Sequence, residues 1–544
     1  MKKKVYITVI FLVFISLRLI GFCSDYLWLD EVDFMANTFA GEEWFRYRFV
    51  PTEPGEGLRI IGKNTWLETL ETSLSITTRA TTAPWFPVFI LHLLTYFFGH
   101  HLSLLRLPAL LVSLASLYLL FRILNKLFSS RAARYFPLLV FTFSVPTIIY
   151  GRSPQPIMYY FLATVIQVVV FLKILDRCRG TVALEDIFRD IRLLTRVSLL
   201  VFFLSYMSIL ICLIFLVYYL ILALGKSGRR FSPREYLRLL GEIGINLLPL
   251  GILAFLRYRM GDHRFVFGVE NPGEFLRLAF ASLTYNFNFA YTPGLYKPFG
   301  PNPVTWPFIA LAILGLIYFF RQRQRHRWPA LISLVIFSIF AWREMMPLGG
   351  IRHTLVVTPF LYIFAGYGLQ GISDRTAGDL KPGGHATTIA GALTLLTVVV
   401  FLFSGSRLYS RRESTLNLRE IAELARVHDV GTVVGFGESV IVLALMSRSR
   451  EGLLEERAIR LKQYLPGWNT PPPERHLLVS YRHAVDPPFR RMAWGGSIPV
   501  EEFGGASITP LVEEIGPLEP RPDIMAHQSI YYPLNGAFIY LVEP

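Results

Sequence analysis

The sequence predicts a polytopic α-helical membrane protein with about eleven transmembrane helices, followed by a small exoplasmic α/β domain. Of the 544 residues, 53% are apolar and 17% are charged, and the mean hydropathy is +0.44, so one soluble core could not bury the apolar surface. Apolar runs recur as far as residue 403 and alternate with short basic segments. Apolar density then falls, which divides the chain into a membrane domain, 1–404, and a soluble domain, 405–544.

The net charge of +15 would suggest a nucleic-acid partner in a soluble protein. Here the Lys and Arg residues lie in short loops between apolar runs, which is typical of topology signals. We therefore expect a lipid bilayer, and no nucleic acid, as the partner of these charges. Cys23, Cys178 and Cys212 are predicted on the outer face, on the inner face and inside the membrane, so no disulfide framework follows.

The first apolar run, residues 5–22, follows Lys2, Lys3 and Lys4. Its basic start is also typical of a signal peptide, but no A-x-A cleavage site follows, and its length predicts a retained anchor. The positive-inside rule then predicts a multi-pass protein of the plasma (inner) membrane with a cytoplasmic N-terminus. Residues 23–83 become a long first outer loop.

Charge also decides how the next runs cross the membrane. The basic clusters at 122–134 and 177–196 both reach the cytoplasm if 84–122 makes one net crossing, with 84–98 short, tilted or partly interfacial. The stretch 180–196 is amphipathic and predicts an interfacial helix. Further crossings are predicted at 135–150, 156–175, 197–224 (two passes broken at SYMS, 205–208), 241–257, 304–320, 329–342, a run ending near 371, and 386–403.

The last crossing leaves residues 405–544 outside the cell. There NLREIAELARVHDV and ESVIVLALMSR predict helices, whereas GTVVGFG, HLLVSYR and FIYLVEP predict strands. GFGES is similar to a phosphate-binding loop, but the plain strand-to-helix turn is the favoured interpretation.

An acidic cluster, Asp30, Glu31 and Asp33, follows the first helix beside Trp28 and Phe34. Carboxylates packed among aromatic rings can have a raised pKa, which suits a general base, and they can also hold a divalent cation. The alternative is a solvated start of the loop.

Basic residues predicted on the same outer face complement an anionic lipid headgroup. Arginine binds phosphate through a planar fork of donors, and its cost near hydrocarbon favours a bound partner. The alternative for each is snorkelling to the interface. The candidates are Arg79, Arg152, Arg343, Arg352 and His353.

His100, His101 and Arg106 fall between two apolar runs, where a structural role is favoured. Two histidines are too few for a metal centre, so this pair predicts no metal site.

Four segments carry a family resemblance: WLDE at the end of the first helix, TTAPWFPVFILHLLTYFFGHHLSLLRLPALLVSLASLYLL, IIYGRSPQPIMYYFL and IRHTLVVTPFLYIFAGYGL. In their order and spacing, residues 5–405 resemble the GT-C superfamily of membrane glycosyltransferases, in the branch of protein O-mannosyltransferase-like, aminoarabinose transferase-like and RgtA/B/C/D-like enzymes. The chain departs from that pattern where Pro84 and Pro87 are separated and where His353 replaces a tyrosine.

The resemblance implies an enzyme that moves a sugar from a polyprenyl-phosphate donor to an acceptor hydroxyl on a glycan, lipid or protein, with inversion. Asp30 would be the general base and Glu31 would orient the acceptor, while Arg152 and Arg352 would stabilise the departing phosphate. The alternatives are a transporter or flippase for a lipid-linked sugar and a scaffold that presents the C-terminal domain.

Overall fold

The computed structural model describes most of the membrane domain and the elements of the C-terminal sheet. The described residues are 2–20, 22, 84–98, 102–178, 180, 182–226, 232–260, 305–322, 326–342, 355–375, 384–402, 418–436, 460–464, 474–480, 507–512 and 538–543.

These residues form fourteen helices and five strands. The helices are α1 Lys2–Leu19, α2 Trp85–Phe98, α3 Leu102–Leu127, α4 Arg131–Phe143, α5 Val145–Tyr150, α6 Ile157–Arg177, α7 Leu184–Phe202, α8 Ser208–Lys226, α9 Pro233–Met260, α10 Trp306–Gln322, α11 Arg327–Trp342, α12 Thr358–Arg375, α13 Gly384–Val400 and α14 Leu418–Val427.

The bundle has two ends, which we name by their residues. The arginine end contains Arg18, Arg106 and Arg152, which gather around the last turn of α1. The Gln370 end contains Gln370 of α12, whose side chain bonds to Ser129 between α3 and α4. Helix α3 therefore runs from the first end to the second.

Helices α6, α7, α8 and α11 run in alternating directions, since their contacting residues rise along one helix as they fall along the next. The contacts are Arg177–Asp190 (2.6 Å), Gln167–Ser198 (2.8 Å), Asp190–Tyr219 (3.1 Å), Ser198–Ser208 (3.3 Å), Ile214–Ser333 (3.3 Å) and Tyr218–His326 (2.7 Å). Because α6 begins directly after the turn that holds Arg152, α7 and α11 end at the arginine end and α8 begins there.

The other helices fit the same pattern. Helix α4 runs alongside α1, with the rings of Phe14 and Phe141 stacked at 5.5 Å, and α9 runs alongside α7. Helices α10 and α12 both approach the Gln370 end, where Tyr318 donates to Asp374. Phe401, just after α13, packs on Phe143 at the arginine end. Eleven helices, α1, α3, α4 and α6 to α13, thus alternate in direction along the chain.

Helix α2 is not part of this alternation. The Phe86 amide donates to the Phe203 carbonyl at 3.1 Å, just past the end of α7, and only residues 99–101 separate α2 from α3. Both ends of α2 therefore belong to the arginine half of the bundle. With 14 residues it is about 21 Å long, shorter than a bilayer core.

Four described helices are long and apolar enough to cross a membrane: Ser103–Leu127, Ile157–Arg177, Ser208–Gly225 and Pro233–Leu256. Shorter apolar helices accompany them at Val5–Leu19, Trp85–Phe98, Trp306–Gln322, Arg327–Ile336 and His385–Val400. The length and apolar composition of these helices are those of a helical membrane protein.

Residues 180–196 differ from their prediction. Instead of an interfacial helix followed by a separate pass, Leu184–Phe202 is one continuous helix, α7. Part of its polar face packs inside the bundle, because Asp190 and Ser198 are buried against α6 and α8, whereas the charged residues Glu185, Arg189 and Arg192 are exposed. The predicted break at SYMS is present as the turn between α7 and α8.

Helices α10 and α12 pack backbone to backbone. A Cβ atom added to Gly315 would lie 1.7 Å from the Phe364 carbonyl oxygen, and one added to Gly368 would lie 2.3 Å from that of Leu311. Small residues allow this approach, which is a common way for membrane helices to pack.

The C-terminal elements form a mixed sheet in the order β2-β1-β3-β5-β4. Strand β1 (Thr432–Phe436) is parallel to β2 (Arg460–Tyr464) and to β3 (His476–Ser480), whereas β5 (Phe538–Glu543) is antiparallel to β3 and β4 (Ser507–Val512). The helix α14 and strands β1, β3 and β5 were predicted; β2 and β4 were not. The rest of GFGES beyond Phe436 and the second predicted helix lie outside the described residues.

Candidate functional site

The last turn of α1 carries an arginine that is completely buried in the bundle. Arg18 is 0% exposed, and its guanidinium lies 3.3 Å from the ring centroid of Phe14. Its terminal nitrogens donate to the carbonyls of Phe14 (3.3 Å), Phe141 (3.4 Å) and Thr142 (3.4 Å), and to Oγ1 of Thr147 (3.2 Å). One side chain therefore joins α1, α4 and α5.

A proline explains why carbonyls are available to Arg18. Pro146 has no N–H to donate to the Thr142 carbonyl one turn earlier, and the helix is interrupted at Ser144, which has an extended backbone. The carbonyl end of α4 also carries the negative end of its helix dipole, so a guanidinium is favourable there. The sequence run predicted as one crossing, 135–150, is split for this reason.

The turn after α5 packs directly on this arginine. A Cβ atom added to Gly151 would lie 2.7 Å from Nε of Arg18 and 2.9 Å from Oγ of Ser113. Ser153 and Gln155 in the same turn are buried. The turn is therefore seated in the bundle, and only a glycine fits at its first position.

Two more arginines hold the end of α1. Arg152 donates to the Ile20 carbonyl at 2.8 Å, and the buried Arg106 of α3 donates to the Phe22 carbonyl at 3.0 Å. Carbonyls past the last turn of a helix have no partner within it, so such donors replace water. The chain leaves α1 between two guanidinium groups and enters the segment that bears Asp30.

The stretches of sequence that carry the three arginines contain no acidic residue. Residues 84–175 contain no Asp or Glu, and neither do residues 1–24. The next carboxylate, Asp176, forms an ion pair with Lys126 toward the Gln370 end. Carboxylates that complement the three arginines must come from other segments, of which 23–83 is directly attached.

Charges toward the Gln370 end form ion pairs within the protein. Asp190 is 1% exposed and accepts hydrogen bonds from Arg177 at 2.6 Å and from Tyr219 at 3.1 Å. Arg192 donates to Glu242 of α9 at 3.0 Å. The bonds of Arg18, Arg106 and Arg152 quoted above go to carbonyls and a hydroxyl instead.

Of the predicted site residues, Arg152 is described, and it binds the end of α1. The others, Asp30, Glu31, Asp33, Arg79, Arg343, Arg352 and His353, lie outside the described residues.

The neighbouring described residues nevertheless give those segments a common starting place. Helix α1, which precedes Asp30 by eleven residues, ends at the arginine end, and so does α11, which directly precedes Arg343. Helix α12 starts there, five residues after His353. Helix α2, six residues after Arg79, begins beside the end of α7.

Two residues of this end were missed or undervalued by the sequence reasoning. Arg18 was not singled out, although an arginine inside ISLRLIG is a charge in an apolar run and predicts a buried partner. Arg106 was assigned a structural role, which its bond to Phe22 fits, but its position beside Arg152 makes it part of the same cluster.

Within the described ranges, no group of three His, Cys, Asp or Glu side chains is arranged to hold a metal ion. The sequence matches no protein-family model, and no curated protein shows significant similarity to it.

Proposed function

We propose that the chain is a GT-C-like glycosyltransferase that transfers a sugar from a polyprenyl-phosphate donor to an acceptor hydroxyl at the arginine end. One observation carries the proposal: three guanidinium groups cluster where α1 ends, and the segments with the other candidate residues adjoin helices that begin or end there. A cationic rim beside apolar helices suits a ligand that is both a phosphate and a lipid.

The acidic pair follows the end of α1 closely in the sequence. Asp30 is the eighth residue after Phe22, whose carbonyl binds Arg106, and a fully extended chain of that length spans at most about 28 Å. A phosphate held by arginines and a carboxylate that accepts a proton are the two functions that the transfer requires.

In the proposed reaction the acceptor hydroxyl attacks the anomeric carbon of the donor. Its proton passes to Asp30, the new carbon–oxygen bond forms, and the bond to the phosphate oxygen breaks with inversion. The electron pair leaves with the polyprenyl phosphate, whose added charge Arg152 and Arg352 stabilise, while Glu31 orients the acceptor. Asp33, Arg79, Arg343 and His353 line the substrate in this proposal.

We place the arginine end on the exoplasmic side of the plasma membrane. Lys and Arg concentrate toward the other end, and such an excess favours the cytoplasm. Eleven crossings would then leave residues 405–544 outside the cell. The cations toward the Gln370 end include Lys126, Arg131, Arg134, Arg177, Arg189, Lys226, Arg234, Arg238, Arg321, Arg327 and Arg375.

The decisive experiment incubates the purified full-length protein with a panel of polyprenyl-phosphate sugars and measures released polyprenyl phosphate. Asp30→Asn should lower turnover about 10²- to 10⁴-fold, the usual contribution of a general base. Asp186→Asn, which alters an exposed carboxylate toward the Gln370 end, is the matched control. Full turnover in a folded Asp30→Asn protein would reject Asp30 as the base.

The alternative function gives a different result in the same preparation. A flippase would move the intact lipid-linked sugar between leaflets of a vesicle without releasing polyprenyl phosphate. A cysteine introduced at position 420 tests the orientation separately, since it should react with an impermeant reagent from the exoplasmic side. Labelling from the cytoplasmic side alone would overturn the orientation.

A further inference from the structure

The contacts of Arg18 converge on the α4–α5 break and on the turn that begins at Gly151. Arg18 reaches the carbonyl end of α4, the Thr147 hydroxyl of α5 and the backbone of Gly151. Helix α1 contributes this side chain two residues before Ile20, whose carbonyl accepts the hydrogen bond from Arg152.

These contacts start and end on the same helix, α1. Arg18 extends from α1 to the α4–α5 break and to Gly151, the next residue is Arg152, and the Arg152 side chain returns to α1 at Ile20. Ser153, which follows, is 0% exposed and so anchors the far side of the turn. Because Arg18 packs against Gly151 and the next residue, Arg152, bonds back to α1, we infer that the direction of the Arg152 side chain depends on Arg18.

We propose that Arg18 is a positioning residue that holds the Arg152 guanidinium at the rim of the arginine end, in place to meet the phosphate of a lipid-linked substrate. The assignment rests on the proposed function. Arg18 itself does not touch the substrate, because its side chain is enclosed by α1, α4, α5 and Gly151.

Lysine at position 18 would keep the charge but not the geometry. The arginine fork donates at once to carbonyls of α1 and α4 and to the hydroxyl of Thr147, while its plane lies over Phe14. A single ammonium cannot reproduce a planar fork of several fixed donors. Arg18→Lys therefore loosens the turn while the buried charge remains.

The first test is a double-mutant cycle with polyprenyl phosphate as the probe and the full-length protein in lipid nanodiscs. Arg18→Lys should weaken binding about tenfold in the unsubstituted background. In an Arg152→Lys background it should weaken binding no further, because the guanidinium that it positions is gone. Equal, additive losses in both backgrounds would overturn the proposal, because a general structural defect acts regardless of Arg152.

Two variants control this cycle. Thr147→Val removes one acceptor of Arg18 with little change of shape and should reproduce a smaller part of the same non-additive loss, even where Arg18→Lys does not fold. Arg131→Lys, at an exposed arginine toward the other end, should leave the affinity unchanged. If Thr147→Val binds as the unsubstituted protein does, the proposal fails.

A second measurement needs no ligand. Ser153→Cys places a thiol at a fully buried position of the turn, which should react slowly with a water-soluble maleimide. Adding Arg18→Lys should raise the labelling rate at least severalfold above that of the parent protein, whereas adding Arg131→Lys should not. An unchanged rate would show that Arg18 does not hold the turn, and the proposal would be rejected.

Failure of the proposed function would look different. If the unsubstituted protein binds no polyprenyl phosphate while the labelling rate still responds to Arg18→Lys, the lipid-phosphate function is refuted and the Arg18 assignment falls with it. If the protein binds polyprenyl phosphate but the cycle is additive, only the role of Arg18 is refuted.

Discussion

Replacing Gly315 by alanine is the sharpest perturbation of the bundle, because it acts where two helices meet without side chains between them. The added methyl carbon would lie 1.7 Å from the carbonyl oxygen of Phe364, 2.7 Å from its carbonyl carbon and 2.8 Å from the amide nitrogen of Gly368. All three atoms belong to the backbone of α12. No rotation of a side chain can relieve the overlap, so the helices must move apart.

The size of the effect follows from that distance. Ordinary contact begins at 3.4 Å, so α10 and α12 would have to separate by more than 1 Å along this direction. Overpacking in a well-packed interior costs about 1–3 kcal/mol, and the displaced backbone places this substitution at the upper end, about 3 kcal/mol. Alanine has the higher helix propensity by up to about 1 kcal/mol, which offsets part of the loss.

Thermal unfolding of the purified protein in one detergent would measure the change, with Gly241→Ala on α9 as the control. A Cβ atom at Gly241 meets nothing within 4 Å, so that variant should be as stable as the parent or slightly more stable. Gly315→Ala should unfold several degrees lower. Equal midpoints for the two variants would refute the backbone contact between α10 and α12.

Two further substitutions test the ends of the bundle. Asp190→Asn should destabilise the protein by about 1.5–3 kcal/mol, because two hydrogen bonds to a buried carboxylate weaken. In the same denaturation assay, the exposed ion pair of Asp186 should contribute under about 0.5 kcal/mol. Equal effects of the two substitutions would contradict the buried network. Gly151→Ala should cost about 1–3 kcal/mol by displacing Arg18, while Gly180→Ala, in open space, should be neutral, and a stable Gly151→Ala protein would contradict the seated turn.

Apolar length and loop charge predict most of the membrane domain. The predicted runs 84–98, 104–124 and 156–175 correspond to α2, α3 and α6 within a few residues. The prediction that 84–98 is short and adds no crossing of its own rests on the basic clusters that follow it, at 122–134 and 177–196, and α2 is indeed only 14 residues long.

Helix α7 shows where such reasoning stops. Amphipathic spacing indicates that a helix has a polar face, but it does not say whether that face meets water or other helices. The partners of Asp190 and Ser198 are Arg177 and Gln167, which lie on a different helix and are apparent only after the helices are packed.

The site was predictable in its residue types more than in its geometry. Arg152 was selected because it lies in a predicted outer turn, but its bond to Ile20 depends on how α1 and α5 pack. Arg18 was overlooked because the reason for it lies at Pro146, which leaves a carbonyl open in a distant part of the sequence.

The position of helix α2 bears on the direction of every helix that follows it. Since α2 begins and ends on the same side of the bundle, it does not change the direction in which α3 and the later helices run. Residues 84–101 can therefore be shortened, extended or reoriented without inverting α3 or any later helix. Among the described helices of the bundle, α2 is therefore a segment whose length can change while the helices after it keep their directions.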